Sequence, residues 1–168
     1  MKISAHEEYG LRCLLEIGKH GPHGSLTIPE IGAAEDLSIS YVAKLLRTLR
    51  RAGLVKSARG KTGGYTLARP ADQIAISDVM AALGGESVFS ADFCKRHPGQ
   101  GRSCVHSIDC SLRTLWRTIH TAVDGVLSKT TLQDLLRNEG EMSVWISNSP
   151  LPRALPGKPA SPAPVSTR

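Results

Sequence analysis

A chain of 168 residues with 40% hydrophobic content suits one compact domain with an appendage, and no run of it approaches the ~18 consecutive apolar residues of a membrane span. The formal net charge is +6, and the first 69 residues carry 11 Lys/Arg against 6 Asp/Glu, so nearly all of the excess lies in the N-terminal part. That distribution points to a polyanionic partner. Aromatic residues at 4% argue against stacking on single strands or splayed RNA bases, which leaves duplex DNA favoured.

The opening MKISAHEEYG lacks a basic segment followed by an apolar run and a cleavage site, so a cytoplasmic location is expected. In that compartment Cys13, Cys94, Cys104 and Cys110 stay reduced, and a metal site or redox sensor is a better expectation than structural disulfides.

In chain order, Tyr9, Leu11, Leu14, Leu15 and Ile17 share a face of a helix over residues 5–19, closed by Gly18 and Gly21-Pro22. Cys13 lies beside that apolar face and reads as a small packing residue, and Glu7 and Glu8 as a first-turn pair complementing the helix dipole. Thr27 with Glu30 forms a capping box for a short helix over residues 28–37. Ser38 or Ser40 caps the next helix, in which Val42, Leu45, Leu46 and Leu49 form the buried stripe and Gly53 ends the run. These two short helices make a helix-turn-helix unit whose second member is basic on its outer face.

From Lys44 to Lys61 there are seven basic residues and no acidic one, whereas a solvated face normally mixes both signs. Lys44 and Arg47 are the DNA-contact candidates, with Ser38 and Ser40 near the helix start where base edges are approached. Tyr41 fits either a phosphate contact or packing beside the turn, and Arg50 and Arg51 fit a favourable meeting with the helix dipole. Two short strands, residues 54–58 and 65–69, then flank the tip Arg59, Gly60, Lys61, Thr62, Gly63 and Gly64, whose glycines permit close approach to a backbone or minor groove.

A short helix follows over residues 76–83, then a segment from about residue 88 to Cys110 with too many breakers for a long element. Its cysteines are separated by nine and five residues, unlike zinc knuckles or compact ferredoxin runs. Spacing therefore leaves a metal site, sensor thiols and inert cysteines open, with His97 and His106 as further donors. Leu112, Leu115, Trp116, Ile119, Ala122, Val123, Val126 and Leu127 recur at helical steps over residues 111–128, a stripe broad enough for a dimer seam. Thr130 or Thr131 caps a last short helix over LQDLLRN, and beyond Gly140 the chain turns Pro- and Ser-rich, as disordered tails do. The expected partition is residues 1–85 for a DNA-binding domain, 86–110 for a cysteine-bearing loop, 111–138 for the dimerisation helix with its short successor, and 139–168 for the tail.

The succession of SISYVAKLLRTLRRAGLV, the wing ARGKTGGYTL, ISDVMAALGG, three cysteines, C-x-L-R-x-x-W and TTLQDLL resembles the IscR/NsrR/RsrR-type family of bacterial winged-helix regulators, over residues 1 to about 138. The resemblance implies a mainly α winged helix-turn-helix with a two-stranded β-wing and a long C-terminal dimerisation helix. It also implies a homodimeric transcription regulator, a repressor, on palindromic double-stranded DNA, controlled by an iron-sulfur cluster of 2Fe-2S or 4Fe-4S type. Matching positions make Cys94, Cys104 and Cys110 the thiolate ligands and Glu8, from the other subunit, the fourth. Arg113 and Thr114 stand where some relatives carry a ligand histidine, and Arg12 stands where two-iron relatives pair a histidine with the glutamate. One alternative is the same fold acting through thiol oxidation without a cluster. The other, a cysteine-dependent redox enzyme, lacks a CxxC motif and a base-nucleophile pairing, so a non-enzyme is expected.

Overall fold

In the computed structural model, which describes residues 3–21, 24–58, 63–84, 100 and 110–148, side-chain caps set where the N-terminal helices begin. Helix α1 spans Ala5–Lys19: the Ser4 hydroxyl accepts the Glu7 N–H at 3.2 Å while the Glu7 carboxylate accepts the Ser4 N–H at 2.7 Å. The expected Thr27–Glu30 box opens α2, Ile28–Glu35, in the same way. For α3, Ile39–Arg51, the cap is Ser38, whose hydroxyl accepts the Tyr41 N–H; Ser40 lies in the first turn, its hydroxyl 3.3 Å from that of Ser38. The turn between α2 and α3 is made by Asp36 at φ 53°, a left-handed conformation that Asp tolerates better than most side chains. Gly53, at φ 69°, ends α3 as expected.

The core is assembled from the predicted stripes. Cys13, Leu14 and Ile17 of α1 meet Ile31 of α2 and Val42, Leu45, Leu46 and Leu49 of α3, all fully buried. Helix α4, Ile76–Gly84, closes on α1 at Gly10, where an added Cβ would stand 2.5 Å from a Leu83 methyl carbon. Tyr9, Leu11 and Leu15 are half-buried around this centre.

Strands β1, Val55–Ala58, and β2, Gly64–Leu67, pair antiparallel in the register Val55↔Leu67 to Ala58↔Gly64. The second strand begins one residue earlier and ends two residues earlier than the sequence suggested. Beyond Leu67 the chain leaves the ladder toward Arg69, whose guanidinium is held by Asp78 at 2.7 Å. Leu26 adds a bridge to the other side of β2, exchanging two hydrogen bonds with Tyr65 at 3.1 and 2.7 Å. The wing is thereby anchored to the segment between α1 and α2.

A 3-10 turn, Ala71–Gln73, precedes α4, and α5 runs Ser111–Leu127. No residue of α5 is buried, and Leu112 and Leu115 are 58% and 49% exposed. Helix α6, Leu132–Leu135, is capped by Thr131 with Asp134; the Thr130 hydroxyl instead donates to the Val126 carbonyl. Leu132 is fully buried in the N-terminal core, and the Ile76 and Leu132 N–H groups donate to the Thr130 and Ile74 carbonyls. Thus α6, grouped by sequence with the dimerisation helix, packs as part of the winged-helix body.

The first ten residues of the expected tail differ from expectation: Glu139–Asn148 form α7. Asn138 and Glu141 exchange cap hydrogen bonds at 2.9 and 3.3 Å, and the first proline of the tail comes at Pro150, beyond the helix. Among the described residues no helix is long and apolar enough to cross a membrane.

Candidate nucleic-acid interface and cysteine site

Because α3 buries Val42, Leu45, Leu46 and Leu49, its opposite face is set by helical geometry. Ser40, Lys44, Arg47 and Arg51 follow one another there at steps of three or four residues, and all four are exposed, as is Ser38 at the cap. The stripe is cationic and free of carboxylates. Arg51, expected from the sequence to meet the helix dipole, shares the stripe with Lys44 and Arg47.

Tyr41 lies to one side, half-buried. Its ring meets Tyr9 edge-on at 6.1 Å and His6 at 6.3 Å, which holds the start of α3 against α1. Of the wing tip, Gly63 is half-buried beside β2, while Arg59, Gly60, Lys61 and Thr62 lie outside the described residues.

The cysteines separate into two environments. Cys13 is fully buried, and burial, with the Glu35 charge adding to it, pushes its thiol up to about 11, consistent with a packing residue. Cys110 occupies the cap position of α5, where its carbonyl accepts the Arg113 and Thr114 N–H groups at 3.1 and 3.4 Å. Its thiol is free, half-buried and takes no part in the cap. Cys94 and Cys104, with His97 and His106, lie outside the described residues. Among the described residues no three His, Cys, Asp or Glu side chains gather as a metal site.

Glu8 is exposed on α1, and its carboxylate makes no hydrogen bond or ion pair among the described residues. The chemistry of the two described donors suits an iron-sulfur group: a thiol in no disulfide, and a carboxylate that accepts no hydrogen bond among the described residues. One turn along α1, Arg12 is held by Glu35. Its Nε donates to Glu35 Oε2 at 2.6 Å, a second N–H donates to the Glu35 carbonyl at 3.2 Å, and the guanidinium carbon sits 5.5 Å from the Tyr9 ring centre. The hydrogen bond and charge of Glu35, with a smaller contribution from the charge of Glu8, raise the Arg12 pKa above its ordinary value. Sequence reasoning did not find this pair, because no fixed spacing links α1 to the end of α2.

A family model described as "Rrf2: Iron-dependent Transcriptional regulator" matches residues 3–138. The protein Rrf2 of Nitratidesulfovibrio vulgaris is 35% identical over 138 residues, covering 82% of this chain and 89% of the relative. The HTH-type transcriptional regulator IscR of Photobacterium profundum is 33% identical over 158 residues, covering 90% and 88%. The structure of CymR, the global cysteine regulator of B. subtilis, resembles the fold with a TM-score of 0.66 at 34% identity, covering 81% of this chain and 96% of that one.

Proposed function

Because the chain belongs to the Rrf2 family of transcription regulators, and is accordingly a DNA-binding regulator rather than an enzyme, we propose that it acts as a cytoplasmic homodimer on palindromic operators, with an iron-sulfur cluster setting its affinity. The outward stripe of α3 enters the major groove, with Ser38 and Ser40 nearest the base edges and Lys44, Arg47 and Arg51 on phosphates. Tyr41 keeps the helix start seated on α1 and is a further contact to a phosphate. The tip Arg59, Gly60, Lys61, Thr62 and Gly63 lies against the backbone or minor groove.

Two copies of α5 pair through the face carrying Leu112 and Leu115, which spaces the recognition helices for paired half-sites, and the dimer acts as a repressor. Cys94, Cys104 and Cys110 of one subunit, with Glu8 of the partner subunit, are the proposed cluster ligands, the type being 2Fe-2S or 4Fe-4S. When bound, the cluster supplies a group whose gain, loss or redox change answers to oxidants, nitric oxide or iron-sulfur supply. Cys110 then transmits the state of the loop to the first turn of α5, and Glu8 transmits it to α1.

The observation that carries this reading is the free Cys110 thiol at the start of α5, between the DNA-binding body and the helix proposed to join the subunits. The test is an operator titration at fixed salt with anaerobically purified protein, before and after cluster removal. A coupling of about 1–3 kcal/mol would change affinity about 5- to 150-fold. A colourless protein, or equal affinity in both states, removes cluster control. The likeness to CymR favours a second reading, a cluster-free thiol regulator, for which oxidation of the same cysteines changes the affinity of a colourless protein.

A further inference from the structure

Glu8 and Arg12 stand four residues apart on α1, with the carboxylate nearer the helix N-terminus, which is the spacing and order at which such pairs attract best. Yet no hydrogen bond or salt bridge joins them, and the Glu8 charge raises the Arg12 pKa less than the hydrogen bond and charge of Glu35 do. Arg12 turns instead to Glu35, whose side chain is only 10% exposed and which supplies both its carboxylate and its backbone carbonyl. The Tyr9 ring lies against the guanidinium, completing the restraint. A carboxylate already committed to a guanidinium would have to give up that partner to bind iron.

We infer that Glu35 is a positioning residue that holds Arg12 away from Glu8 and so keeps the Glu8 carboxylate uncommitted for the cluster of the partner subunit. The inference rests on the proposed ligation by Glu8. Removing Glu35 frees Arg12 for its neighbour on α1, and the resulting pair competes with ligation. Removing Arg12 as well takes the competitor away. Glu35 contacts no ligand atom and acts through Arg12.

The test uses full-length protein purified anaerobically and measures the lifetime of the visible chromophore in excess chelator for wild type, Glu8→Ala, Glu35→Ala, Arg12→Gln and Glu35→Ala/Arg12→Gln. An exposed pair of this spacing shifts an equilibrium by about twofold, so Glu35→Ala should shorten the lifetime by about that factor. Arg12→Gln and the double variant should both keep the wild-type lifetime. A purely structural role for the tie between α1 and α2 gives a different pattern, because Arg12→Gln breaks the same tie: all three variants would then be short-lived, and the inference falls. If Glu8→Ala is short-lived while Glu35→Ala matches wild type, the inference is also wrong although Glu8 remains a ligand. A wild-type lifetime for Glu8→Ala overturns the ligation itself, and this inference with it.

Discussion

Leu115 offers a direct measure of whether α5 is a seam between subunits. It is 49% exposed in one protomer, so a protomer alone covers about half of a side chain whose complete burial is worth about 1.5–3 kcal/mol. Leu115→Ala should therefore cost about 1 kcal/mol within a protomer. If a second α5 covers the other half, each subunit loses about 1 kcal/mol more at the interface, about 2 kcal/mol for the symmetric dimer, which weakens association about 30-fold. Leu132→Ala is the control, because Leu132 is fully buried inside one protomer: it should lower unfolding stability by about 2–5 kcal/mol irrespective of protein concentration. Light scattering over a dilution series gives the association constant, and urea unfolding at two concentrations separates the contributions. A charge in the same face, Ile119→Glu, should split the dimer outright. An unchanged association constant for Leu115→Ala, or a wild type that is monomeric at micromolar concentration yet binds a palindromic operator tightly, refutes the seam.

Lys44→Ala, Arg47→Ala and Arg59→Ala should each weaken operator binding and reduce the magnitude of the salt slope by about 0.9 for every phosphate that is no longer neutralised; unchanged affinity for all three in a salt-controlled titration would remove the proposed DNA face. Replacing Cys94, Cys104 or Cys110 with Ala should abolish the visible chromophore while Cys13→Ala keeps it, and in the folded protein at pH 8 iodoacetamide should leave Cys13 unmodified, since its thiol is buried and pushed up to about 11. Thr131→Ala should cost about 1 kcal/mol by removing the α6 cap. At Asp134 burial opposes ionisation, but hydrogen bonds from Thr131 and the charge of Arg137 outweigh it and hold the carboxyl below its ordinary value of 3.8. Its stabilising contribution is thus complete above pH 3.8 and is lost as the pH falls through the lower folded-state pKa, so acid unfolding curves of wild type and Asp134→Asn should converge at low pH.

The sequence by itself determined the features whose physics is local. The Thr27 cap, the turn at Gly53 and the buried stripe of α3 each depend on groups within about one helical turn, so residue type and spacing define them, and the outward cationic stripe follows as the complement of the buried one; between Ser38 and Ser40 as the α3 cap, the structure chose Ser38. The cap at Asn138 was equally local, but the proline-rich composition beyond Pro150 obscured the short helix before it. Tertiary structure alone decided the rest. Arg12 with Glu35, Tyr41 against Tyr9, Leu26 beside Tyr65 and Leu132 in the N-terminal core join segments that chain folding brings together, and no sequence spacing announces such partners. The resemblance to known regulators pointed to Glu8, but the sequence held no sign that its natural partner on α1 is drawn off by Glu35. That depends on where the end of α2 packs, a consequence of the shared core beneath α1, α2 and α3.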